Sequence, residues 1–413
     1  MSQALELFLG ILTAFGGSVE IGQLAFSVNA GSSFRYDLLW VVALGTVGII
    51  VYCEMAGRIA AVRKQPVFHL IRERAGLTAG LVTLLAANIV NVMTCAAEIG
   101  GVALVWQLMQ GWPYRGLVAL TFVALVLVMW FFSFKWIERV FGLMGLLLVV
   151  FVAVAAVTGP DWGALWRGFV PGPPRAPAPG ATPMLYAYDA VALLSAIMMP
   201  YETYFYASGA IEDGWKPKDL GLNRIIVVIG SVLGSLLSVA LVMIGAQVHR
   251  AHGIDAQLPG TAALAVADAF GRWGLLAALL GMIFAFAGAA IETTYSGAYN
   301  VAQFFGWSWG KFRRPREAGR FHAAWFALLA LSAVVIVTGI DPVSMVEYSI
   351  VFAVVTLPFT FFPVLVVARD KRLMGVHAIG PVANALGWLF LVLTTVAALA
   401  AVPLLILTHG GRG

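Results

Sequence analysis

Ala196-Ile-Met-Met-Pro-Tyr-Glu202 sets a proline in the middle of an apolar run that extends from about residue 186 to 210. A helix through this run loses the amide of Pro200, and the carbonyl of Ala196, four residues back, is left without its donor. A second weak point lies near the start of the chain. Gly16-Gly-Ser-Val-Glu-Ile-Gly-Gln23 places an acid and an amide three positions apart among glycines, again inside an apolar run. Two interrupted helices, one opening each half of a ten-helix core, are the sequence pattern of an inverted-repeat membrane carrier.

The rest of the sequence fits that class. Of 413 residues, 61% are hydrophobic and 11% charged, and the mean hydropathy is +0.92. A soluble domain carries roughly 25% charged residues, so lipid is the solvent expected for most of this surface. Apolar runs of spanning length are predicted near 8–29, 37–61, 79–108, 116–134, 137–158, 186–210, 223–248, 262–304, 321–340, 343–368 and 383–407. The fold class is therefore all-α and polytopic, with about eleven transmembrane helices and discontinuous helices 1 and 6. The eighth run is too long for one straight span, so Asp268 to Trp273 is expected at the membrane face. Val170-Pro-Gly-Pro-Pro-Arg-Ala-Pro-Ala-Pro-Gly180 cannot form a helix and is expected to be an extended loop. As one transporter domain, the chain divides into repeat one at about 8–158, an external loop at 159–185, repeat two at about 186–368 and an extra helix at about 383–407.

Charge placement predicts orientation. Eighteen of the twenty-five Lys and Arg residues, among them Arg58, Arg63, Lys64, Lys311, Arg313 and Arg372, fall in connections on one side. By the positive-inside rule that side is cytoplasmic, which puts the N-terminus inside and the C-terminus outside. The +5 net charge is then mostly a topology signal and needs no nucleic-acid partner. The expected surroundings are a lipid bilayer, most simply a bacterial inner membrane, and a small cationic substrate. Met1 to Glu6 carries no cationic leader, so the first span is expected to be retained. Cys53 and Cys95 both lie in apolar runs and suggest neither a disulfide framework nor a cysteine metal cluster. No phosphate-cradling loop, His-Glu-x-x-His pair or nucleophile with a base occurs, so an enzyme is not expected and no cofactor is implied.

Ionisable residues inside spans are costly and usually functional. Glu20 and Gln23 can offer oxygen to a cation that has shed water. Glu202 adds an acid just past Pro200, with Tyr201, Tyr204 and Tyr206 beside it as possible cation–π faces. Glu98 lies in the third span. Glu54 and Glu292 are expected to pair with neighbours or line an inner vestibule, and Asp189 to serve the start of the sixth helix.

Several stretches resemble the NRAMP-type divalent-metal transporter family. Phe26-Ser-Val-Asn-Ala-Gly-Ser-Ser-Phe-Arg-Tyr-Asp-Leu-Leu-Trp40 is similar to the segment that follows that family's Asp-Pro-Gly-Asn motif. Thr94-Cys-Ala-Ala-Glu-Ile-Gly100, Ala196 to Tyr206 and Thr356-Leu-Pro-Phe359 resemble its third-, sixth- and tenth-span motifs. The resemblance implies five plus five inverted-repeat helices in a LeuT-like fold, an extra eleventh helix, and inward transport of a divalent metal such as Mn²⁺ or Fe²⁺. It carries metal contact onto Glu20, Gln23, the Ala196 carbonyl and Met199, with Glu202 as an additional acid. Gly22 and Pro200 then mark the helix breaks, and Glu98, Cys95, Tyr201 and Thr356 occupy relay or gate positions.

The departures from the family pattern are chemical. Asp-Pro-Gly-Asn reads here Glu20-Ile-Gly-Gln23, and both side chains are one methylene longer. The family's two histidines fall at Tyr201 and Tyr206, its third-span aspartate at Cys95 and its tenth-span glutamine at Thr356. A thioether at Met199 favours a softer transition ion over Mg²⁺ or Ca²⁺. The six histidines all fall in connections or near span ends, which argues against the family's proton coupling. A carrier of the same fold for an amino acid or organic cation, and a sensor or scaffold that transports nothing, are the alternatives.

Overall fold

The structure, a computed structural model, describes residues 19–253, 259–338 and 342–411. Every element among them is helical, as lipid requires: a backbone without water must satisfy its own polar groups. The main helices are α1 (Ile21–Phe34), α2 (Leu39–Arg63), α3 (Val67–Gln110), α4 (Tyr114–Phe131), α5 (Phe134–Val157), α6 (Pro183–Ile197) and α7 (Pro200–Glu212). They are followed by α8 (Leu220–Ile244), α9 (Ala262–Phe305), α10 (Gly319–Val337), α11 (Pro342–Arg369) and α12 (Pro381–Leu407).

Ten stretches of the described residues are long and apolar enough to cross a membrane. They match the second to eleventh predicted runs one for one, with α6 and α7 sharing one span. Half of the remaining run, 8–18 of 8–29, lies outside the described residues, and the other half holds the start of α1. The chain is a multi-pass membrane protein.

The longest helices lie at the centre. α3 and α9 have 44 residues each and form the most extensive helix pairing in the molecule. Each bends at a glycine nine residues after its start, at Gly76 (φ 80°, ψ 175°) and Gly271 (φ 64°, ψ −158°). These backbone angles are open to glycine and strained for other residues. The second bend falls within 268–273, where the apolar run was predicted to leave the bilayer. The α6–α7 span is mostly buried, whereas α4, α10 and α12 are peripheral and present side chains such as Phe131 and Leu399 outward. Such an apolar exterior suits lipid.

The proline-rich connection is extended, as expected, but it is also fastened. After a short helix at Trp162–Gly168, it crosses the C-terminal end of α1. Arg175 and Ala176 donate their amides to Asp37 (2.6 and 3.2 Å), and the Ala178 amide donates to the Ser33 carbonyl (2.7 Å). The Arg250 guanidinium donates to the carbonyls of Ala176 and Pro177.

Candidate functional site

The break between α6 and α7 and the start of α1 follow from local chemistry. α6 ends at Ile197, Met198 (φ −108°, ψ 48°) and Met199 (φ −61°, ψ 128°) leave helical geometry, and α7 restarts with Pro200 as its first residue. Proline suits that position because the amide it lacks would have no intrahelical partner there. Glu20 is extended (φ −105°, ψ 159°) and α1 begins at Ile21. The described helix of this span thus starts just after Glu20, and Gly22 stands inside α1 rather than at the interruption expected for it; the residues before 19, where that span was expected to begin, lie outside the described residues. Gly22 serves close packing instead: a Cβ there would lie 2.7 Å from Cδ1 of Ile350 on α11.

The starts of α1 and α7 bring together more acceptors than donors. Glu20 is 1% exposed and has no cationic partner; the Tyr201 hydroxyl is the donor near it, although no contact at its oxygens meets strict hydrogen-bond geometry. Gln23 donates through Nε2 to Ser238 Oγ (2.6 Å) and the Gly234 carbonyl (3.3 Å), both on α8. That commits its amine end, and the buried Oε1 is left unpartnered. Glu98 reaches across from α3 and accepts the Ile21 amide on Oε1 (3.0 Å), while its Oε2 has no partner. Glu20 interacts electrostatically with Glu98, Glu202 and Glu292, and the Tyr201 side chain interacts with Glu20, Glu202 and Glu292. Buried oxygens arranged this way lack a positive charge.

A vestibule of about 250 Å³ leads to this group. Gln23, Ala196 and Glu202 line its inner end, and Glu292 joins them from α9. Asp213, Trp215 and Lys311 line the end formed by the connections after α7 and α9. Glu20 and Met199, each 1% exposed, lie behind this lining. Asp213 stands beyond the end of α7; burial pushes its carboxyl above the ordinary range, and Lys311 and Lys135 pull it back.

The other expected site residues divide. Cys95 closes onto α9, with Sγ 3.4 Å from Thr294 Oγ1 and 3.7 Å from the Ala290 carbonyl. Thr356 bonds the Ala353 carbonyl of its own helix (2.9 Å). The tyrosines do not form a cage: Tyr204 packs on Phe68 at 4.5 Å, and Tyr206 donates to Asn223 Oδ1 (2.8 Å) further along the vestibule. Glu54 pairs with Arg58 (2.5 Å) and Arg224 (3.4 Å), as expected of it.

Asp189 corrects the sequence expectation. The start of α6 is capped by Thr182, which accepts the Leu185 amide (3.2 Å). Asp189 lies mid-helix, 1% exposed, and accepts from Asn29 Nδ2 of α1 at 3.2 Å. It joins the two broken helices on the side of the breaks away from the vestibule.

Lys311 escaped notice because a lysine in a connection reads as a topology signal. No sequence pattern reveals that its Nζ sits 4.2 Å over the Phe134 ring and lines the vestibule. Among the described residues, no three His, Cys, Asp or Glu side chains form a metal cluster. The donors at the breaks are instead mixed: carboxylate, amide, carbonyl and a nearby thioether.

A helical membrane bundle with one span interrupted at Met198–Met199 and a second helix starting at Ile21 beside the same cavity fits the inverted-repeat, LeuT-like class of transporters. The chain belongs to the natural resistance-associated macrophage protein-like family, whose sequence model matches residues 10–403. It is 27% identical to a divalent metal cation transporter, MntH, of Ralstonia nicotianae, over 94% of this chain and 88% of the relative. Its fold is similar to that of the Eremococcus coleocola manganese transporter (TM-score 0.75, 19% identity, covering 95% of this chain and 85% of that one). MhsT in complex with L-phenylalanine shares the architecture more distantly (TM-score 0.64, 16% identity, covering 96% of this chain and 98% of that one).

Proposed function

We propose that the chain is a secondary carrier that moves a divalent metal cation, of the Mn²⁺ or Fe²⁺ kind, across the membrane by alternating access. The observation that carries this reading is the set of buried acceptors beside the α6–α7 break: Glu20 has only the Tyr201 hydroxyl near it and no cation, and Oε1 of Gln23 has no donor. The divalent-metal and manganese substrates of the relatives support it. In this reading Glu20, Gln23, the Ala196 carbonyl and Met199 contact the cation, and Glu202 is the acid through which it meets the vestibule. The metal is cargo, and no resident cofactor is invoked. The dispersal of Tyr204 and Tyr206 away from the acids tells against an ammonium-binding cage.

The positive-inside reading makes the vestibule side cytoplasmic, so the conformation described is open inward and closed outward. The loop over α1 and the Asn29–Asp189 contact lie on the closed side. We assign the repeats to about 8–158 and 186–368, with 383–407 as an added helix. The matching bends of α3 and α9 support that division.

The test is Mn²⁺ uptake into proteoliposomes carrying an internal pH dye, with Glu20→Ala as control. Entry is expected for the wild type and its loss in the variant. The dye is expected to stay flat, since no described histidine lines the vestibule and Cys95 is closed onto α9. Wild-type uptake no greater than that of empty liposomes overturns the metal reading, and full uptake by Glu20→Ala overturns the site.

A further inference from the structure

Glu292 has no counterpart in the ligand set at the breaks. It lies well inside α9, lines the vestibule with Glu202, and the two carboxylates interact electrostatically. Gln23, 3% exposed and with its Oε1 unpartnered, lines the same cavity. A positive group of the protein already stands beside this pair. The Lys311 ammonium lines the vestibule 4.2 Å over Phe134 and 5.5 Å over Phe205, and it interacts with Glu292. Glycines with positive φ at Gly306 and Gly310 flank the connection that carries it.

Glu202 and Glu292, in a cavity that Glu138 and Asp213 also line, differ chemically from the buried, mixed donors at the breaks. They offer charge and hard oxygen, with no thioether, and leave room for a cation to keep part of its water shell. We propose that Glu202 and Glu292 form a second cation station in the vestibule, which takes a partly hydrated divalent cation and which the Lys311 ammonium contests. This inference rests on the metal-carrier reading. The cation leaving the breaks is handed to the Glu202–Glu292 pair, and Lys311 then competes for Glu292 and lowers the affinity of the station, so that release is quick.

The test is a calorimetric titration of the purified full-length protein in detergent with Mn²⁺, and separately with Mg²⁺. Melting curves confirm that each variant is folded. The wild type is expected to bind two cations, one tightly and one weakly, with the weaker event discriminating little between Mn²⁺ and Mg²⁺. Glu292→Gln, which keeps shape and removes charge, is expected to abolish the weaker event and leave the tight one. Lys311→Gln is expected to tighten the weaker event on the order of tenfold, the effect of removing a close like charge. A single event in the wild type, or a weaker event indifferent to both substitutions, overturns the proposal. Glu20→Ala separates the two readings. Loss of the tight event alone supports both. Loss of both events overturns the second station. Retention of both, with full uptake, overturns the assignment at the breaks, and the loss of the weaker event in Glu292→Gln then still supports the station.

Discussion

Glu98 accepts the first amide of α1 on one carboxylate oxygen and leaves the other bare, so its structural and charge roles can be separated. Glu98→Ala removes a buried acceptor and is expected to lower stability by about 1–3 kcal/mol. Glu98→Gln retains an acceptor for the Ile21 amide and is expected to melt close to the wild type in detergent. Equal destabilisation by both would refute the capping role. Met199→Ala removes the soft donor beside the break. It is expected to narrow the preference for Mn²⁺ over Ca²⁺ roughly tenfold in competition uptake, equivalent to about 1.4 kcal/mol. An unchanged ion ranking rules out ligation by that sulfur. Glu20 was legible in the sequence because an acid among glycines in an apolar run has few structural excuses. The Glu98 cap was not, since it joins residues 77 positions apart. Asp189 was misjudged for the same reason: its partner, Asn29, comes from another helix.

At the scale of elements, the close approach of α1 to α8 depends on two glycines. A Cβ at Gly31 would lie 2.0 Å from the Val242 carbonyl oxygen, and one at Gly245 would lie 2.1 Å from the Val28 carbonyl oxygen. These contacts are reciprocal and involve backbone, which cannot turn aside as a side chain can. A π-helical turn at Gly245–His249 begins at the second glycine. Either Gly31→Ala or Gly245→Ala is expected to cost about 3 kcal/mol or more, seen as a lower melting temperature or loss of folded protein. Gly22→Ala is expected to be milder, because it meets side chains alone, Ile350 closely and Val346 at ordinary contact distance. Ile350→Val should recover most of its loss. A fall for Gly22→Ala as large as that for Gly31→Ala would contradict the distinction between backbone and side-chain contact. Hydrophobic runs located the helices well, since span length and apolarity are properties of the local sequence. The crossing that places α1 beside α8 is not local, and glycines at 31 and 245 carry no label that pairs them.

At the scale of the whole molecule, the vestibule opens between the connections after α7 and α9, while the proline-rich loop covers the opposite end of α1. The two faces are therefore separable by chemistry, and the orientation proposed from the positive-inside rule, with the vestibule on the cytoplasmic face, can be tested. Ser231 on α8 lines the vestibule, and Pro179 is exposed in the loop. In a background with Cys53 and Cys95 replaced by serine, Ser231→Cys is expected to react with a membrane-impermeant maleimide in inside-out vesicles and to be spared in intact cells. Pro179→Cys is expected to behave in the opposite way. If Glu20 and Glu202 gather the cation around the breaks, saturating Mn²⁺ should also slow labelling at residue 231, by occupancy or by favouring closure. Labelling of residue 231 from the outer side alone would invert the topology while leaving the fold intact, and equal labelling from both sides would mean that the two faces are not alternately closed.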